Sequence, residues 1–416
     1  MIQPDAAPVP SQEAQAPSEQ DNTGLYLTLK DQIQADIDHS NAWRIQAKAD
    51  FGFVADSRSG GQWDEKAKAQ LNDEQRPVVT FNKTLKFVRA ICGIESNNRH
   101  ETVFLPRHVT EAGEVKKNEV LTGASEWMDQ TSNAPRHQSR AFRDATICGM
   151  GWTEAVVDYD EDPRGLYVES RCNPLEMGWD RNARDQNILD SKRRWRVRRM
   201  LATEARELIP GVTDDPNLAT EDLNASWAAR VAEPQPDKPK TQEQKERREE
   251  ALGKWDEKHE VYIAQVQWWE FEKYRKVLNP AALQDPQAPR TIDVNEQQLE
   301  QVQAQFGGQL PASRPLRRKV YKQAILGGKV LSVGPCPRPD GFTLNCMTYE
   351  PDDNDGTWYG IVRVLRDPQV WSNKFFAQLM HIVNSTAKGG ILAEEDAFPD
   401  VNDALRNYAK PNAVTV

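Results

Sequence analysis

Apolar residues recur every three to four positions in several stretches of the chain, and each such stretch predicts a helix packed along one side. Over residues 25–55 the stripe is Leu29, Ile33, Ile37, Trp43 and Ala47. Residues 76–106 read RPVVTFNKTLKFVRAICGIESNNRHETVFLP. There 77–81 is extended and Asn82 is placed to cap a helix, whose turns are marked by Leu85, Val88, Cys92 and Glu95. Thr102 to Leu105 reads as a strand stopped by Pro106. A helix over about 116–130 would turn Val120, Leu121, Ala124, Trp127 and Met128 inward, and a third covers 137–148. After Gly149 and Gly151 the period changes to two. The strands TEAVVDYD and LYVESR are joined by the turn Asp162-Pro163-Arg164-Gly165, and KRRWRVRRM follows a loop. VYIAQVQWWEFEKYRKV is a long aromatic strand, and RRKVYKQAILGGKVLSVG predicts a hairpin turning at Gly327-Gly328. Helices and strands mix without a βαβ rhythm, which makes the fold class α+β.

The last periodic segment is YGIVRVLRDPQVWSNKFFAQLMHIVNSTAKGG, residues 359–390. Its β-branched opening predicts a strand. Asp367 then serves as N-cap, Pro368 as the first helical residue, and Gly389-Gly390 as the stop. The helix would be about 30 Å long. Lys374, Gln378, His381, Ser385 and Lys388 recur at four-three-four-three spacing and form one polar stripe, while Trp371, Phe375, Phe376, Leu379, Met380, Ile382 and Val383 fill the other side. No Asp or Glu occurs from 368 to 393, where 63 acids in 416 residues would place about four. A solvated helix normally mixes both signs, so two readings stand side by side: a surface helix of a monomer whose polar side meets water, and a stripe that faces a polyanion or the lumen of a ring.

Composition adds bounds. A 416-residue chain has room for two or three domains. Its mean hydropathy of −0.76 and 38% hydrophobic content are low for that size, which fits long solvated segments. Residues 1–24 carry four acids, no Lys or Arg, and much Pro, Ala and Gln, the signature of a disordered arm. From 210 to 258 the composition shifts again, with the breaker PQPDKPK and a charged helix in KTQEQKERREEALGKWDEKHE. A short helix is expected in VNEQQLEQVQAQF. The net charge of −10 argues against non-specific DNA gripping over the whole surface, yet leaves room for local basic patches. Five cysteines without a CxxC pattern indicate reduced thiols. No signal peptide or membrane-length apolar run is present, so no membrane partner is expected.

Motifs for catalysis are weak. The chain has no GxxxxGK[ST], HExxH or GxSxG pattern, and no zinc-type Cys/His spacing. In PDDNDGTWYG an EF-hand register puts Pro351 at the first ligand position, so calcium fails. Asp352, Asp353 and Asp355 could serve a carboxylate-metal nuclease, but a polar turn is the simpler reading. No cofactor is implied. Among basic clusters, Arg194, Arg196 and Arg198 share one strand face opposite Trp195 and Val197. They and Arg317, Arg318 and Lys319 are secondary candidates for phosphate contact, against the simpler reading of solvated or ion-paired surfaces.

In their order, five blocks carry a family resemblance over about 76–390: RPVVTFNKTLKFVRAICGIESNNRHETVFLP; the helix pair leading to GWTEAVVDYD; RCNPLEMGWDRNARDQNILDSKRRW; KVLSVGPCPRPDGF; and GTWYGIVRVLRDPQVWSNKF. The last is the most specific, with Gly360, Arg363, Asp367, Pro368, Gln369 and Asn373. The chain resembles the portal proteins of tailed bacteriophages, especially short-tailed ones. That resemblance implies a non-enzymatic virion component, assembled in the host cytoplasm, that forms a dodecameric ring at one capsid vertex. Double-stranded DNA would pass through the ring in packaging and ejection. Implied partners are further copies of the chain, the terminase large subunit, capsid and scaffolding proteins, and tail or head-completion adaptors. On that view 25–210 is wing and body, 211–360 stem and clip, and 361–390 a strand plus a stem or channel-adjacent helix. Familiar members continue into crown and barrel segments. KPNAVTV reads like a strand just starting, so 391–416 is expected to open a further region of a truncated or reduced member. The stripe would then face DNA, with Lys374 and Lys388 nearest phosphate. Twelve times the single-chain charge of −10, about −120, would keep DNA from adhering elsewhere. The alternatives are a metal-dependent nucleic-acid enzyme and another oligomeric capsid-associated structural protein.

Overall fold

The computed structural model describes residues 19–57, 61–73, 76–99, 102–105, 112–159, 162–209, 219–232, 260–278, 291–295 and 314–386. Helix α1 (Glu19–Ala55) is followed by α2 (Glu65–Asp73), α3 (Lys83–Asn97), α4 (Ala112–Ser132) and α5 (Ala134–Cys148). Next come β1 (Met150–Asp158), β2 (Leu166–Cys172), β3 (Met177–Trp179), β4 (Arg193–Leu201) and short helices α6 (Ala202–Leu208), α7 (Thr220–Leu223) and α8 (Ala229–Ala232). Then β5 (Glu260–Leu278), β6 (Thr291–Asn295), β7 (Arg314–Leu326), β8 (Val330–Pro335), β9 (Leu344–Thr348), β10 (Glu350–Asp352) and β11 (Thr357–Tyr359) lead to the long helix α9 (Ile361–Thr386). The fold is α+β: one sheet has the order β2-β1-β9, a second β3-β4-β5-β7-β8 with β6 also on β5, and β10-β11 form a ribbon. The pairings are antiparallel.

Helix α1 joins the two larger sheets. Leu29, Ile33 and Ile37 pack on Trp195, Val197, Val266, Trp268 and Leu326 of the six-stranded sheet. About two to three turns on, Trp43 and Ala47 pack with Trp152, Trp179, Leu344 and Trp358 around the three-stranded sheet. Each fully buried aliphatic side chain of this stripe contributes about 2 kcal/mol. Between the two clusters Arg44 is fully buried. It donates to the carbonyls of Leu175 (2.6 Å) and Met177 and lies over the Trp195 ring. Those carbonyls, rather than a carboxylate, offset its desolvation.

Several elements follow the sequence pattern closely. Asn82 caps α3 through Leu85 N–H (3.0 Å), the 162–165 turn closes on Asp162, and Leu326 pairs with Val330 across the Gly327-Gly328 turn. Others differ. The first helix begins at Glu19, so the last part of the segment read as a disordered arm is helical; 1–18 lie outside the described residues. Thr102 to Leu105 has no strand beside it among the described residues and is exposed coil, with the Phe104 amide bonded to the Thr122 hydroxyl at 3.1 Å. Helix α4 leaves Val120, Leu121, Trp127 and Met128 exposed rather than inward. The charged helix expected before 260 also lies outside the described residues. So does the short helix expected after 294, beyond its first two residues, which end β6.

Candidate functional site

The segment with the strongest sequence signal is α9, and its base is tightly built. It begins at Ile361, not at Pro368. The β-branched run read as a strand is its first turn, because Val362 must reach the cluster of Phe53, Val54, Val88 and Ile147. Gly360 permits that entry: a Cβ there would stand 2.2 Å from the Ile147 carbonyl oxygen of α5. Pro368 therefore lies inside the helix, where it removes one backbone bond, and Asp367 is exposed instead of capping. Two ion pairs hold this entry. Arg366 meets Asp50 at 2.6 Å and covers Phe53, and Arg363 meets Asp352 at 2.7 Å over the Tyr359 ring. Burial raises the Asp50 carboxyl against the pull of Arg366, whereas the hydrogen bond from Arg363 lowers Asp352.

Gln369 and Asn373, one turn apart, are buried and grip the tight backbone turn at 81–83 that leads into α3. Gln369 accepts from Lys83 N–H (3.2 Å) and donates to Phe81 O (2.6 Å). Asn373 accepts from Phe81 N–H (3.1 Å) and from the Gln369 amide (3.0 Å), and donates to Gln62 Oε1 (2.8 Å). The side chains thus bind both ends of the 81–83 turn, which the Lys83 N–H also closes on Phe81 O at 2.8 Å, and fix the helix relative to α3. Periodicity alone did not identify this role. Two amides at i and i+4 beside the apolar Val362 and Ala377 are the signal that could have.

At about 100° per residue, the buried residues Val362, Gln369, Asn373 and Ala377 form one face. Val364, Trp371, Phe375 and Ile382 form a nearly opposite ridge, and it is exposed: Trp371 is 68% and Phe375 66% accessible. Most of the apolar side opposite the polar stripe is therefore exposed rather than buried in the subunit. Lys374 and Gln378, exposed, and the half-buried His381 run between these faces. Lys374 lies 5.2 Å from the Trp371 ring, and Gln378 accepts from Arg76 at 3.4 Å. Ser385 is in the last turns of α9, and Lys388 lies outside the described residues.

The secondary basic candidates separate. Arg194, 6% exposed, donates to the carbonyls of Leu344 (2.6 Å) and Ile188 (2.9 Å). Arg196 and Arg198 share Glu154, at 3.1 and 3.5 Å. This face of β4 meets the three-stranded sheet while Trp195 and Val197 meet α1, so Arg194 and Arg196 point into the subunit instead of toward a phosphate. Arg317, Arg318 and Lys319 are exposed on β7, with Arg318 paired to Glu272 at 2.8 Å. Among the described residues no three His, Cys, Asp or Glu come together as a metal-ligand group. No helix among them is long and apolar enough to cross a membrane.

No curated protein matches the chain. Residues 30–416 match the family model of the phage P22-like portal protein, a span that contains the α1 stripe from Ile33 onward, both larger sheets and the α9 anchor. The chain belongs to the phage P22-like portal protein family.

Proposed function

We propose that this chain is the subunit of a closed portal ring, dodecameric as the family resemblance implies, through which duplex DNA enters and leaves a capsid. Terminase, scaffolding and capsid proteins, and tail adaptors would dock on that ring at the virion vertex. The observation that carries the reading is the division of α9 into three faces. One is anchored in the subunit, the nearly opposite one is apolar and exposed, and an acid-free polar stripe separates them. A monomer gains nothing from exposing Trp371 and Phe375, since aromatic side chains of this size carry about 150–250 Å² each. Covering what they expose would bury about 200–300 Å², roughly 5–7 kcal/mol at each interface. A ring supplies that cover, because each subunit meets the next through two different surfaces. The apolar residues left outward on α4 offer a second such surface. With the ridge against a neighbour, Lys374, Gln378 and His381 turn toward the axis, and a sparse cation per subunit becomes a band of positive potential.

Native mass spectrometry and negative-stain microscopy test this. The wild-type chain is expected as a closed ring with a central hole. Trp371→Ser with Phe375→Ser is expected to give folded single subunits with unchanged circular dichroism. A monomeric wild type, or an assembly in which the ridge faces solvent and the Lys374 stripe is buried, would overturn the arrangement. Lys374→Gln with Lys388→Gln should impair DNA packaging or retention if the stripe meets DNA.

A further inference from the structure

The outer part of the six-stranded sheet is a ribbon of β5 and β7 in which Phe271 pairs with Lys319, Lys273 with Arg317, and Arg275 with Pro315. Paired residues share a face and alternate ones change it, so these six form one side. The other side carries Glu270, Glu272, Tyr274 and Lys276 opposite Val320, Arg318, Leu316 and Arg314. The charges are segregated. On that second side Glu272 binds Arg318 at 2.8 Å, Glu270 binds Lys322 at 2.7 Å, and Lys276 stands opposite Asp293 of β6. On the first side Lys273, Arg275, Arg317 and Lys319 stand with no carboxylate among the described residues of that face.

Like charges directly opposite destabilise a strand pair, so the Lys273–Arg317 pair works against the ribbon unless an anion joins it. A cavity of about 550 Å³ is lined by Lys273, Tyr274, Arg275, Pro315, Leu316 and Arg317, with no acid among these lining residues and with Lys273 directly opposite Arg317. Beside it Lys319 sits 4.2 Å over the Trp269 ring, whose indole N–H is fixed on Ser191 O at 3.0 Å. Phe271, 59% exposed, stacks edge-on against the same indole at 5.0 Å.

We propose that this face of the ribbon binds the phosphodiester backbone of nucleic acid, independently of whether α9 lines a channel. Same-side residues along a strand repeat at roughly 6.6 Å, close to the separation of successive phosphates along an extended nucleic-acid strand. The exposed Phe271 offers a ring on which a base can stack, the usual combination in sites that hold single strands. An acidic protein segment would satisfy the cations but would make no use of the exposed part of that ring.

Fluorescence anisotropy with the full chain and a labelled oligothymidylate tests the proposal, with a duplex of equal length, inorganic phosphate and polyglutamate as competitors. Lys273→Gln with Arg317→Gln is compared with Lys276→Gln with Arg314→Gln, an equal charge change on the opposite side. For single strands each lost phosphate contact lowers the salt slope by about 0.7. The first pair should therefore lose about sevenfold less affinity between 50 and 200 mM salt than wild type, after weaker binding at low salt. The second pair should stay near wild type, and Lys273→Arg with Arg317→Lys should keep the full slope. Equal losses in both glutamine pairs, no binding by the wild type, or displacement by polyglutamate or phosphate as readily as by nucleic acid would each overturn it. Circular dichroism of every variant separates lost folding from lost binding.

Discussion

Replacing Asn373 by alanine tests whether α9 is held by the amide network or merely rests beside it. The side chain closes three bonds, to Phe81 N–H, the Gln369 amide and Gln62 Oε1. Gln62 is 2% exposed, so its orphaned oxygen costs about 2 kcal/mol. The Phe81 amide belongs to a half-exposed residue and costs about 1 kcal/mol, giving about 3 kcal/mol in all. Equilibrium unfolding of a chain this long is unsafe as a two-state measure, so amide hydrogen exchange at Phe81 and Lys83 is the sharper assay. Local opening should ease by about a hundredfold. Asn373→Asp should be worse than alanine, since it buries a charge and turns an oxygen toward Gln62 Oε1. Inverting the Gln62 amide would relieve that contact only by losing its bond to Phe53 O. Gln369→Ala alone and with Asn373→Ala completes a cycle, whose coupling should be about 0.5–3 kcal/mol. Exchange at Phe81 within threefold of wild type would refute the clamp and leave the cluster around Val362 as what holds the helix.

Gly360→Ala would press a Cβ into the Ile147 carbonyl; a cost of about 1–3 kcal/mol should appear as a lower midpoint in thermal unfolding. Burial pushes the Cys172 thiol up to about 11 and raises those of Cys92, Cys148, Cys336 and Cys346 as well, so what distinguishes Cys92 is access: it is half-buried where the other four are buried. A raised thiol pKa means less thiolate at neutral pH. Iodoacetamide should therefore reach half-buried Cys92 first and the other four only after denaturation, as read by intact mass.

The elements legible in the sequence are those fixed by local chemistry or by one unbroken period. The α1 stripe, the Asn82 cap, the Asp162 turn and the Gly327-Gly328 turn each need only neighbours within a few residues. What stayed hidden depends on distant partners. Pro368 looked like a helix start because the sequence does not show Ile147 and Phe53 drawing Val362 into a helical turn. The arginines of β4 looked like a surface, because parity assigns them one face without revealing that a second sheet with Glu154 covers it. Exposure of the apolar side of α9 was not legible either, because period alone does not say whether an apolar face is buried in its own subunit. Gln369 and Asn373 were marked by the family motif, but their work of gripping the backbone at 81–83 required the fold.

The two acid-free surfaces should differ in how they treat a polyanion. On α9 Lys374 is the single Lys or Arg among the described part of the stripe, with the uncharged Gln378 one turn on. Such spacing lowers the barrier to a passing phosphate without holding it, since affinity grows with the number of cations engaged together. The ribbon sets Lys273 directly opposite Arg317 with Lys319 two residues away, a density that holds rather than guides. If both readings are correct, the ribbon variants should change binding by the isolated subunit, while the α9 variants should change only the behaviour of an assembled ring. Affinity of the unassembled chain that depended on Lys374 more than on Lys273 and Arg317 would reverse that assignment.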